Sequence, residues 1–238
     1  PLNLPLSLPI DWNSPAWVVL IGIEHERIHL ETSSVLIRQH ALRHVRPHPA
    51  WEPWRIAGPA PTNDLVDIPA GLVDAGKHDD SYGWDNEYGD HVAQVPAFRA
   101  SRYLVSNGEF LEFVQAGGYA DEKWWDAEGA AWKQFARAEH PTFWVPSKDG
   151  WRLRLMLEEV PMPWNWPVEV NNLEAAAFCE WKSAKFAAQS GLPVRLPVRL
   201  PSEDEWLRLY DHAGIDEVSA DAAAPANLHL DHAASSCP

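Results

Sequence analysis

The stretch with most chemical potential is GIEHERIHLE, residues 22–31. His25 and His29 stand four residues apart, so on a helix they project from one face about one turn apart. Neutral imidazoles at that spacing can share one divalent metal. The core of the stretch, HERIH, also satisfies the HExxH pattern of zinc peptidases, in which Glu26 would be the general base. The extended form of that motif needs a Gly and a third His at fixed offsets. The residues that follow, ETSSVLIR, contain neither, and the next Glu, Glu52, falls in a Pro-rich passage. The plain alternative is a His pair on a helix face with no metal at all. Glu31 lies two residues past His29, so it points about 200° away from that side chain and cannot readily join the same metal. His40, His44 and His48 repeat the spacing of four, but His48 sits between prolines, which breaks the face, and the three read as solvated.

These residues need an element to carry them. Ser14-Pro15 is a helix start, a Ser cap followed by Pro at the first helical position. No further Pro occurs until Pro47, and Trp17, Leu20, Ile21, Ile28, Val35 and Leu36 recur near the helical period. One helix is therefore expected over 14–44. Residues 47–67 are rich in Pro and Trp and read as a linker between a helical segment (1–46) and a second domain (68–238). From Ile68 the texture changes to short strand-like runs, turns and scattered aromatics. LVSNGEFLEFVQAGG reads as a helix capped by Ser106, with Glu109 placed to complete a capping box. Residues 171–188 and 201–214 read as two more helices, while the Trp-rich stretch before 171 carries no clear pattern. The tandem PVRL at 193–196 and 197–200 reads as a duplication in a loop. The expected class is α+β with much loop.

Bulk properties narrow the function. The 238 residues hold 19 Lys+Arg against 34 Asp+Glu, a formal charge of -15, which argues against a nucleic-acid surface. Hydrophobic residues make up 46%, enough to bury a core. The 14 Trp and 21 Pro against only 13 Gly indicate irregular segments pinned by large aromatic anchors. No apolar run approaches the ~20 residues of a membrane span. The Pro- and Leu-rich opening lacks the basic region of a secretory signal. Two cysteines, Cys179 and Cys237, are too few for a disulfide framework, so a cytoplasmic setting is expected.

The motif H-x3-H-x-E formed by His25, His29 and Glu31 resembles the iron-binding motif of the sulfoxide synthases that make thiol-histidines. That family joins a DinB-like helical bundle to a formylglycine-generating-enzyme-like (C-type-lectin-like) domain. Residues 82–119 resemble the opening of the second domain, and 166–182 with 196–206 resemble its central helix and the turn that follows. GIEHERIHLETSS with MPWNWPVEVN is similar to the ovothiol branch. Ergothioneine-type members usually carry Gln before the second His, where this chain has Ile28.

The resemblance implies Fe(II) as cofactor, and L-cysteine, L-histidine and O2 as substrates. The implied product is 5-histidylcysteine sulfoxide, with no nucleic-acid or membrane partner. A synthase acting on trimethylhistidine is the runner-up; a zinc metallopeptidase and a non-enzymatic binding module stand behind it. His25 and His29 carry over as iron ligands, and Glu31 as a motif residue of unassigned role. Trp84, Asp85, Asn86 and Glu87 (WDNE) match a family motif near the domain start; they are either substrate-pocket residues or a turn with a buried Trp and a capping Asn. Cys179, Tyr119 and the Trp124–Trp125 pair read as core and anchors. The family's third His ligand and its catalytic Tyr have no counterpart in these residues. The chain is therefore expected to be the middle of a longer enzyme, with a truncated second domain, and to be inactive alone.

Overall fold

The computed structural model describes residues 7–47, 57–190 and 197–214. Helix α1 runs Pro15–Gln39. Its start is as read: the Ser14 hydroxyl accepts the Ala16 N–H at 3.3 Å and Pro15 occupies the first turn. Its end is not. His40 takes an extended conformation and its N–H bonds the Ile37 carbonyl at 3.1 Å, so the helix stops five residues short of the expected 44 and only a 3₁₀ turn follows, Leu42–His44. No Gly or Pro marks this stop, which left it without a local signature.

Among the described residues, seven strands and four more α-helices follow: β1 (Leu65–Ile68), β2 (Gly71–Ala75), β3 (His91–Val95), β4 (Phe98–Ser101), α2 (Asn107–Gln115), α3 (Ala127–Ala136), β5 (Trp144–Ser147), β6 (Gly150–Arg154), β7 (Glu159–Pro161), α4 (Asn172–Ser190) and α5 (Glu203–Ala213). The class is α+β, as expected. β1 pairs with β4, β2 with β3, and β5, β6 and β7 form a meander. The Trp-rich stretch without a sequence pattern becomes α3 and that meander.

The chain divides into two compact units. The first comprises Pro1–Val45, Ile68–Phe98 and Glu203–Ile215. Here β2 and β3 are antiparallel, with Leu72 opposite Gln94 and Val73 opposite Ala93. Alternation puts Val73 and Val95 inside and leaves Leu72 and Val92 on the open face. α5 lies on this hairpin through Arg208, whose Nε donates to the Pro69 carbonyl at 3.0 Å, and through His91, 2.9 Å from Asp204. α1 buries Ala16, Trp17 and Arg38, whereas Val18, Ile23, Ile28, Leu30 and Leu36 remain exposed.

The second unit is built from Arg46–Asp67 and Arg99–Ser202. Its core gathers Phe110 and Phe113 of α2, Phe178 and Trp181 of α4, and Trp125, Trp144 and Leu153. Phe110 stacks on Phe178 with centroids 5.2 Å apart, and Phe113 meets Trp181 at 5.7 Å. The polar ends of the tryptophans are satisfied inside: Trp144 Nε1 donates to Asn107 and Trp125 Nε1 to the Gly118 carbonyl. Cys179 is buried, and burial pushes its thiol up to about 11, so it packs as a small hydrophobe as expected. Of the doubled PVRL, the first copy lies outside the described residues. In the second, Val198 N–H donates to Ser183 Oγ at 2.7 Å.

Candidate functional site

α1 carries His25 and His29 on one face, and the two Nε2 atoms approach to 2.8 Å with ring centroids 4.6 Å apart. Both side chains are exposed. Two imidazole nitrogens bound side by side on one metal, each at about 2.1 Å, stand roughly 3 Å apart. The observed spacing therefore fits a pair of ligands converging on one ion. Two neighbours stiffen this turn. Thr32 Oγ1 donates to the carbonyls of Ile28 and His29, and Arg27 pairs with Glu24 at 3.0 Å. Glu26 is exposed on the same helix. Glu31 is exposed too, and its carbonyl accepts the Ser34 hydroxyl at 2.7 Å. Among the described residues no group of three or more His, Cys, Asp or Glu is arranged to hold a metal. His40 and His44 are exposed beyond the helix end, and His48 lies outside the described residues.

The WDNE residues form a 3₁₀ turn at Asp85–Glu87 with Trp84 before it. The turn reading needs one correction. Trp84 is half-buried, Asn86 is exposed, and the cap comes from Glu87, whose carboxylate accepts the Trp84 N–H at 2.5 Å. A carboxylate three residues on reaches back to that N–H, as in a capping box. Asn86 and Glu87 also line a cleft of about 890 Å³ whose walls include Lys77, Asp74, Asp90, His91 and Asp204. Acidic groups dominate it. Nearby, Lys77 holds the Asp79 carboxyl well below the usual range, and the Ser81 hydroxyl and N–H donate to it as well.

α1 and the loop that bears the WDNE turn belong to one unit, and aromatic packing joins them. Trp12 stacks on Trp17 at 4.2 Å and meets Tyr88 at 4.9 Å, while Tyr82 packs edge-on against Trp17 at 5.2 Å. The Tyr82 hydroxyl is sheltered and has no hydrogen-bond partner among the described residues. Burial raises its pKa first, and the charges of Glu24 and Glu87 add to that. Sequence reading missed this cluster, since nothing in the spacing of Trp12, Trp17, Tyr82 and Tyr88 announces that they meet.

The model of the sulfatase-modifying factor enzyme 1-like domain matches residues 56–214. This chain belongs to that family. The match runs from before β1 through α5, taking in residues of both units, and bears out the formylglycine-generating-enzyme-like expectation. Among curated proteins, the hercynine oxygenase of Mycolicibacterium smegmatis is 34% identical over 206 residues, covering 84% of this chain and 42% of that protein. The hercynine oxygenase of Mycobacterium tuberculosis is 36% identical over 130 residues, covering 54% of this chain and 27% of that protein. The formylglycine-generating enzyme of Bos taurus is 30% identical over 162 residues, 62% of this chain and 39% of that protein. The chain thus spans about two fifths of the length of the first of these relatives. These relatives are enzymes. No described helix is long and apolar enough to cross a membrane.

Proposed function

We propose that this chain is part of a cytoplasmic Fe(II)- and O2-dependent sulfoxide synthase that joins L-cysteine to L-histidine, giving 5-histidylcysteine sulfoxide. The observation that carries this reading is the convergence of His25 and His29 Nε2 to 2.8 Å on α1. The pair would hold the iron from one side, α1 being the last helix of a DinB-like bundle. Bound iron would supply the redox chemistry with O2 that neither imidazole can perform. The chain's own part is to orient: Thr32 fixes the backbone of the ligand-bearing turn, and Asn86 and Glu87 present polar groups to the cleft. Ile28, which stands where ergothioneine-type members usually carry Gln, favours histidine as the sulfur acceptor. The second reading, a synthase acting on trimethylhistidine, draws on the hercynine oxygenases among the relatives.

Full-length protein containing this chain, loaded anaerobically with Fe(II) and then given O2, cysteine and histidine, should form histidylcysteine sulfoxide by mass spectrometry. Product from trimethylhistidine alone would select the second reading, and product from neither would end both. Equilibrium dialysis gives a separate check. His25→Ala or His29→Ala should weaken Fe(II) binding by more than about tenfold, since even loss of a group supporting a ligand costs that much. Stoichiometric zinc with peptide hydrolysis lost in Glu26→Gln would replace the synthase with a peptidase.

A further inference from the structure

The loop between β2 and β3 closes at a narrow neck. Lys77 N–H donates to the Glu87 carbonyl at 2.7 Å, and Lys77 forms a parallel bridge with Tyr88. Just outside, Gly76 has φ +109°, and a Cβ there would stand 2.0 Å from the Gly89 carbonyl oxygen. Only glycine permits that approach.

His78 sits immediately inside the neck. Its Nδ1 lies 2.6 Å from Asp90 Oδ1 and its Nε2 3.3 Å from Asp74 Oδ1. Asp74 belongs to β2 and Asp90 directly precedes β3, so a single ring ties the two strand ends together. Two facing carboxylates require two N–H donors. A neutral imidazole has one and would turn a lone pair on the other anion, whereas the imidazolium has both. We propose that His78 is a proton-operated latch, which as imidazolium ties Asp74 to Asp90 across the loop neck and on deprotonation lets the 77–88 loop loosen.

The charged groups facing the ring are Asp90 and Asp74. The neighbouring cation cannot substitute, because the Lys77 ammonium is bonded to Asp79 at 2.7 Å and to Ser81. His91, next to Asp90, is turned instead to Asp204 at 2.9 Å. The bond to Asp90, then the charge of Asp74, hold the His78 pKa above the ordinary histidine value. With the folded pKa raised, the latch is complete below the unfolded value of about 6.5 and is lost as pH rises through the raised one. Asp74 and Asp90 also line the acidic cleft with Asn86 and Glu87, so release loosens one wall and leaves two carboxylates there without their cation. None of this depends on the iron-ligand reading of His25 and His29.

NMR titration of the 238-residue chain tests the latch. The His78 ring should titrate above the free-histidine value, and Asp90→Asn should lower its midpoint. Amide exchange over 77–88, corrected for intrinsic base catalysis, should rise roughly two- to fivefold across that titration, the range of an exposed ion pair. His78→Gln should remove the step. A ring that titrates at or below the ordinary value, or an equal step in His78→Gln and the parent chain, would overturn the proposal.

Discussion

Tyr119 and Glu174 show how much one buried pair can carry. The Tyr119 hydroxyl donates to Glu174 Oε1 at 2.6 Å, and Oε2 accepts the Asn171 N–H at 2.9 Å. Glu174 is only 2% exposed, and burial raises its carboxyl pKa against the pull of both bonds. A raised folded pKa means that this group's contribution to stability is complete below the unfolded value and declines as pH rises through the raised one. Tyr119→Phe removes one donor and strands a carboxylate oxygen, so a loss of about 1–3 kcal/mol is expected. The loss should be larger at neutral than at acid pH, where the carboxyl is protonated; urea unfolding at both conditions measures it. Equal losses would mean that the bond does not serve the ionised form. Tyr119 is thus the anchor its sequence context indicated, but with a partner 55 residues away.

At the scale of elements, caps decide where helices start. Ser106 Oγ accepts the Glu109 N–H at 3.1 Å and opens α2, and Asp126 Oδ1 accepts the Gly129 N–H at 2.7 Å and opens α3. The expected capping box at α2 is only half made. The Glu109 carboxylate turns instead to Lys182 Nζ of α4 at 2.7 Å and to Asn63 Nδ2 at 2.9 Å. A charged partner in a half-buried site outcompetes a local N–H. Ser106→Ala should therefore cost about 1 kcal/mol through the cap, measurable as a lower thermal midpoint. No change on that substitution would mean that the Glu109–Lys182 tie alone holds the start of α2.

At the scale of the molecule, the second unit depends on aromatic volume. Phe110 touches Phe113, Trp144 and Phe178, and is 1% exposed. Phe110→Ala should destabilise by about 3–5 kcal/mol in denaturant unfolding, because rings packed on three sides cannot collapse into the space. A cost under about 1 kcal/mol would show that the cluster repacks. The first unit is built differently. Its α5 buries no side chain fully and is held by His91, Arg208 and contacts to the β2–β3 hairpin. α1 keeps an apolar surface in the open through Val18, Ile28 and Leu36.

Signals acting over a few residues were readable in the chain itself. Ser14-Pro15, the Ser106 cap, the shared face of His25 and His29, and the burial of Cys179 all rest on helical period, capping chemistry or side-chain type. The excess of Trp likewise marks a fold pinned by large aromatic anchors. What needed the tertiary structure was every pairing of distant partners. The sequence shows no reason for His78 to lie between Asp74 and Asp90, for Glu109 to leave its cap for Lys182, or for Tyr82 and Tyr88 to pack on Trp12 and Trp17. The β5–β7 meander was hidden for the same reason, whereas α1 ends at Gln39 on the local bond from the His40 N–H to the Ile37 carbonyl, with no Gly or Pro to mark the stop. Local propensities differ by well under 1 kcal/mol per residue, and burial against a distant neighbour overrides them.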